Sequence, residues 1–563
     1  MPSETSRTPT VTTETHPPRD GKAGPDHPPG SVQTPMSPPA AGTPRSDEQS
    51  ASAWPRLRPI DHLFILLSLT YTTILVIPVL PRGIFMGDPG ELQLAADTLG
   101  ITHAPGYPAY VTLGYLARLV PGDHSTFEVT LAFTLSGLIV LWLCMMCQIR
   151  LGLSGPIACI VSLSMLAHPR TWWSLLAPEV YFLSLTFQAA AAYLLIKYAQ
   201  LGRRRDLWWA AVCYGVALAN RPPLVLMLPF VLAGWWVGWR RHEAPRSRAA
   251  GTLRPRAWMG SLATATLAAA LPGVYSLAYL YIRDTPETKY NYIENWNQEH
   301  KVLPDADEGF TAKVERVAWH TSGREFGYAV GDTLIGTLRK LKWVRNEFFL
   351  YRTRTFCIVL AIILLGGWLV FRRSPAGGWL LAGMVFSALA FVCLYRMWGQ
   401  AADLLPMVWA CTVAFGVALA PVFKRGGEPW RNVLAIAALL ACLPLLHQYA
   451  TERIRRNPTH DAEEFLAAMD METLPANSVI VVSWPEAPPV LYQKRVRSRR
   501  DDIEALFASV DRWAEVLEPY RGRPAFAASH VNKLEGFRLS EYRNLQRMEW
   551  EDPSPDSDTH DRP

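Results

Sequence analysis

The densest group of chemistry-bearing side chains lies between residues 86 and 123. Asp88 and Glu91 stand three apart in Asp88-Pro89-Gly90-Glu91, just after the first long apolar run. Pro89-Gly90 is expected to turn the chain between them, so that both carboxylates face one cavity. His103 follows, then the turn-forming run Ala104-Pro105-Gly106-Tyr107-Pro108. Residues 109–119 are apolar on one face and suit a helix lying along a membrane surface. A solvated acidic loop accounts well for one carboxylate. It accounts poorly for two carboxylates and an imidazole fixed by Pro/Gly turns beside a bilayer, where ionisable groups tend to be functional.

Four further clusters carry usable groups. His168 and Arg170 precede Glu179, which can equally serve the amides at the start of the next helix. Asn220-Arg221 stands at a break made by Pro222-Pro223, and its guanidinium can grip a phosphate or reach a lipid headgroup. Residues 319–330 bring His320 and Arg324, and Asp403 precedes Leu404-Leu405-Pro406. Together these groups suit transfer from a lipid-phosphate donor. A carboxylate would take the proton of an acceptor hydroxyl. Arginines would stabilise the departing phosphate. Phosphate leaves without a general acid, and a sugar centre with an oxocarbenium-like transition state fits that economy.

The elements that position these groups are membrane helices. The polar residues are segregated into 1–59, 283–352 and 450–563, and the rest is strongly apolar. Eleven spans are expected near 60–80, 127–149, 153–168, 178–199, 207–220, 222–239, 257–282, 354–371, 378–396, 405–423 and 431–449. The fold class is therefore mainly α, a polytopic helical bundle, and a soluble enzyme is excluded. Residues 1–50 hold eleven Pro and no aromatic residue, so 1–59 reads as a disordered tail. The links 202–206, 240–256, 371–374 and 424–431 carry 14 Lys/Arg, which places them and the N-terminus in the cytoplasm. All five clusters then fall on the opposite side. So do the loops 81–125 and 283–352 and a small α/β domain at 450–563, with helices over 461–473 and 499–517 and strands over 478–483 and 524–528. Trp at span ends reads as interfacial anchoring. The charge of +6 is too modest and too dispersed for a nucleic-acid partner. The eight Cys lie in apolar runs and read as packing residues. Asp88, Glu91 and His103 could ligate a divalent ion, but nothing fixes their geometry, and no metal or resident cofactor is assigned.

Asp88-Pro89-Gly90-Glu91 and Leu99-Gly100-Ile101-Thr102-His103-Ala104-Pro105-Gly106-Tyr107-Pro108 resemble a family of multi-pass membrane glycosyltransferases akin to protein O-mannosyltransferases. The likeness continues through Trp172-Trp173, Ala177-Pro178-Glu179-Val180-Tyr181 and Gly215 to Arg221, with weaker echoes at 319–326, 403–406 and 474–484. It implies a GT-C fold and a polyprenyl-phosphate sugar as donor. It also implies a protein or glycan hydroxyl as acceptor, inversion at the sugar, and action outside the cytoplasm, here at a bacterial inner membrane. Asp88 takes the role of base and Glu91 that of its neighbour. His103, Pro105, Gly106, Tyr107, Arg170, Trp173, Glu179, Tyr181, Asn220, Arg221, His320 and Asp403 are the substrate-binding candidates. Transfer to an envelope lipid or polysaccharide, and a secondary transporter, are the alternatives.

Overall fold

Each apolar run of about twenty residues has only its own backbone to satisfy its amides in lipid, so it must be helical. The computed structural model describes residues 57–551, apart from 122–124, 250–253, 330, 332, 350–352, 396–400, 424–429, most of 431–459, 499, 530, 532 and 543–544. Its membrane part runs through α1 (Pro59–Val76), α2 (Gly87–Thr98), α3 (Pro108–Arg118), α4 (Ser125–Arg150), α5 (Gly155–Leu163), α6 (Pro169–Leu176), α7 (Val180–Leu201) and α8 (Arg204–Asn220). A 3₁₀ turn, Pro222–Met227, leads to α9 (Leu228–Ala249) and α10 (Arg254–Arg283). The long polar loop that follows holds α11 (Tyr292–His300), α12 (Phe310–Thr321) and α13 (Leu334–Phe349). Then come α14 (Thr353–Arg373), α15 (Pro375–Leu394) and α16 (Leu405–Leu419).

Ten of the eleven expected spans coincide with these helices; the eleventh, 431–449, and the tail 1–56 lie outside the described residues. Among the described residues, seven helical segments are long and apolar enough to cross a membrane. The expected spans at 153–168 and 207–220 fall short by length. The break after Asn220 is as expected, because Pro222-Pro223 cannot extend the hydrogen-bond ladder. Anchoring does not account for every Trp: Trp172, Trp235 and Trp239 are buried. The described cysteines are free, with Cys144 and Cys147 buried in α4.

The C-terminal segment forms α17 (His460–Met469), β1 (Val479–Val482), α18 (Ala487–Tyr492), β2 (Glu504–Phe507), α19 (Trp513–Leu517), β3 (Ala525–Ala527), β4 (Phe537–Tyr542) and β5 (Leu545–Trp550). The sheet order is β2-β1-β3-β5-β4. β1 pairs parallel with β2 and β3, and all four of its residues are buried, as an unbroken Val-Ile-Val-Val run demands. The helix expected over 499–517 is corrected: its middle is β2, an edge strand, and only 513–517 is α-helical.

This domain shares its core with the first loop. Ile84 and Leu94 pack in one cluster with Tyr290, Leu466, Ile480, Val490 and Phe526. Hydrogen bonds cross the same seam: Gly87 N–H to the Pro485 carbonyl at 2.9 Å, and Tyr492 hydroxyl to Asp97 Oδ2 at 2.7 Å. The long polar loop is organised by a buried cation. Arg316 grips Asp284 with Nε at 2.7 Å and a terminal nitrogen at 2.9 Å, and also reaches Glu294 at 2.9 Å. Arg316 and Asp284 are both fully buried. Arg316→Ala would leave Asp284 charged and unpaired, a loss of about 3–5 kcal/mol. We expect faster amide exchange across 284–321 in the variant; unchanged exchange there would refute the assignment.

Candidate active site

Asp88, in the first turn of α2, and Glu91, in the next, stand three residues apart and so lie near one another on the helix surface. The turn expected at Pro89-Gly90 is corrected: both residues are helical, and Pro is tolerated there because first-turn amides lack helical partners. Gly90 is required, since a Cβ would sit 2.0 Å from the Phe85 carbonyl oxygen.

The two carboxylates have opposite fates. Glu91 is fully buried. It accepts from the His103 backbone N–H at 2.8 Å and from the Tyr290 hydroxyl at 2.8 Å, and it pairs with His103 Nδ1. Asp88 is exposed, and no described residue gives its carboxylate a hydrogen bond or ion pair. It lines a cavity of about 540 Å³.

The wall beside Asp88 is the 103–107 loop. Ala104-Pro105 is a cis peptide, and Gly106 and Tyr107 both have positive φ, at 86° and 44°. A Cβ on Gly106 would come within 2.6 Å of Leu280. Left-handed geometry is costly for Tyr107, and such outliers gather at ligand sites. Tyr107, Tyr292 and Phe326 stand edge-on around the His103 ring, with centroids at 5.3, 6.3 and 6.4 Å.

Arg221, where α8 breaks, also lines the cavity. Its guanidinium pairs with Asp403 and lies over the Tyr181 ring at 4.8 Å and the Phe391 ring at 5.8 Å. The charge is thereby oriented, and its remaining donors border the cavity. Trp484 and Phe507 from the C-terminal domain complete the lining.

Of the candidates from sequence, Asp88, His103, Pro105, Tyr107, Tyr181, Arg221 and Asp403 meet at this cavity. Of the rest, those with described side chains do not line it. Glu91 and Gly106 lie behind the loop. His320 is fully buried behind Gly106, and neither of its ring nitrogens has a partner among the described residues. Asn220 is buried and donates to the Val180 carbonyl at 3.5 Å. Glu179 occupies the N-cap position of α7. Trp173 is exposed, and the side chain of Arg170 lies outside the described ones. Glu325 is absent from the sequence candidates, yet it accepts from the Ala104 N–H at 3.0 Å and so braces the loop. Its signal was its place beside His320 and Arg324. Among the described residues no cluster of three His, Cys, Asp or Glu is placed to hold a metal ion.

Burial opposes charge on His103, but the Glu91 carboxylate, reinforced by Asp88 and Glu325, overrides it and lifts the imidazole to about 10. Burial pushes Glu325 up to about 7, against the pull of the Ala104 amide and His103. Burial and the neighbouring His103 charge hold His320 down at about 3. At neutral pH the site thus contains one imidazolium and one neutral imidazole.

Fold and site together define an integral membrane protein with a polar cavity partly lined by its C-terminal domain. The family model described as the Protein O-mannosyl-transferase TMEM260 N-terminal domain matches residues 88–244, from Asp88 to beyond Arg221. Protein O-mannosyl-transferase TMEM260 of Mus musculus is 30% identical over 163 residues, which are 27% of this chain and 23% of the mouse protein. The match thus spans about a quarter of that relative. Among solved structures, ArnT from Cupriavidus metallidurans bound to undecaprenyl phosphate is similar at TM-score 0.48 and 14% identity, covering 86% of this chain and 97% of ArnT. The Archaeoglobus fulgidus oligosaccharyltransferase in complex with Zn and sulfate is similar at TM-score 0.46 and 13% identity, covering 82% of this chain and 67% of that one.

A raised imidazole pKa stabilises the fold fully below 6.5, and the contribution is lost as pH climbs through about 10. The thermal-stability advantage of the wild type over His103→Gln should therefore be full at mildly acidic pH and shrink as the pH approaches 10. An advantage that stays constant, or grows, over that range would show that His103 is not held as a cation.

Proposed function

We propose that the protein is a membrane glycosyltransferase that moves a sugar from a polyprenyl-phosphate donor to a hydroxyl of an extracytoplasmic protein. The observation that carries this is the free Asp88 carboxylate in a cavity that the oriented Arg221 also lines. The matched family and the mouse relative's name support transfer of mannose to Ser or Thr. Because the match covers only part of each chain, the sugar and the acceptor belong to this proposal.

In this reading the acceptor oxygen attacks the anomeric carbon from the face opposite the phosphate. Asp88 takes the hydroxyl proton as the new carbon–oxygen bond forms. The bond from anomeric carbon to phosphate oxygen breaks, and the electron pair leaves with the polyprenyl phosphate. Arg221, held by Asp403 and the faces of Tyr181 and Phe391, stabilises that growing negative charge. The configuration at the sugar inverts. Glu91 works at one remove: by fixing His103 and the 103–107 loop it shapes the wall against which the sugar rests, with Tyr107 presented to it. The Lys/Arg-rich links support a cytoplasmic N-terminus, with the cavity on the outer side of a bacterial inner membrane.

Asp88→Asn preserves shape and removes the proton acceptor. Because Asp88 bonds to no described residue, the variant should fold like the wild type, while transfer from a polyprenyl-phosphate sugar falls about 10²-fold or more. Transfer at the wild-type rate by the purified variant would rule Asp88 out as the base. Transport of a free sugar by proteoliposomes, with no transfer from any donor, would favour a transporter instead.

A further inference from the structure

A second cavity, of about 320 Å³, lies between residues 285–299 and the C-terminal sheet. One wall carries Asn291, Asn295 and Gln298, and the other is β2. β2 is the edge of the sheet and bonds only to β1. The N–H groups of Glu504 and Ala508 donate to the carbonyls of Ser478 and Val482, at 3.0 and 3.1 Å. In a parallel ladder alternate residues face opposite sides, so the N–H and C=O groups of Ala505 and Phe507 point away from β1. No described residue pairs with them. The side-chain amide nitrogen of Asn295 is likewise buried without a described partner. Unpaired edge amides facing a polar cleft are a template for one more strand.

The position of the cleft gives that edge a use. Phe507, the last residue of β2, lines both this cleft and the cavity of Asp88. We propose that the acceptor binds as an extended peptide added to the free edge of β2, which leads a Ser or Thr past Phe507 toward Asp88. This rests on the glycosyltransferase reading and names the acceptor site for it. Glu287, Glu294, Glu299 and Glu504 outnumber Lys289 and Arg495 around the cleft, so a peptide without net negative charge fits.

The test uses the full-length protein in lipid nanodiscs and a short fluorescent peptide of Ala and Lys with one central Thr. Two further peptides carry N-methyl groups on alternate backbone amides, one set on each strand edge. Strand addition requires one methylated set to bind about tenfold weaker or worse, while the other binds like the parent. Ala505→Pro removes an outward N–H without touching the β1 ladder and should weaken the parent peptide similarly. Equal binding by all three peptides, or wild-type affinity in a folded Ala505→Pro protein, overturns the proposal. Should that variant fail to fold, the methylated peptides on the wild type still decide. Edge-dependent binding without sugar transfer from any polyprenyl donor would keep the cleft and sink the catalytic reading. Equal sugar transfer to both methylated peptides would do the reverse. Transfer to a glycan alone, with no peptide bound, also overturns the cleft assignment.

Discussion

The site depends on one buried carboxylate being fully satisfied. Glu91 has no access to solvent, and an unpaired charge there would be prohibitive. Two contacts from His103 and one from Tyr290 meet that need. The same contacts tie α2 to the 103–107 loop that follows it and to the long polar loop that carries Tyr290, nearly two hundred residues away. With Glu91 so occupied, the neighbouring Asp88 is left as the carboxylate with freedom to act. Proximity in sequence makes the two acids neighbours on the helix surface; burial divides their roles.

The C-terminal domain belongs to this arrangement. Its apolar core continues into α2, and the Pro485 carbonyl receives the N–H of Gly87 at the start of that helix. Trp484 and Phe507 then line part of the cavity. The long polar loop, braced by Arg316 on Asp284, supplies Tyr290, Tyr292 and Glu325. The cavity thus acquires walls from the apolar helices, the long loop and the sheet.

Much of this was legible in the residues. Apolar length gave the helices, since lipid leaves the backbone no other solution. Pro222-Pro223 marked the break that displays Arg221, and the Asp88–Tyr107 stretch marked one wall. Less legible was which carboxylate is buried, because that depends on Tyr290, nearly two hundred residues away. The pairing of Arg221 with Asp403 was hidden for the same reason. Pro89-Gly90 suits a turn and a helical first turn equally, and the close approach of the Phe85 carbonyl, which leaves no room for a side chain at Gly90, lies beyond what the motif shows. β2 was read as helix because a four-residue strand is too short to show its period. The β4–β5 hairpin did leave a trace in the alternation of Phe537, Arg538, Leu539 and Ser540.

The division of labour between the two acids can be observed without any donor or acceptor. Right-side-out vesicles would be treated with a water-soluble carbodiimide and an amine, and the labelled carboxyls mapped by mass spectrometry. The account predicts that Asp88 is derivatised from the outer face while Glu91 is spared. Labelling of Glu91 in preference to Asp88, or labelling of Asp88 only after the cytoplasmic face is opened, would contradict it.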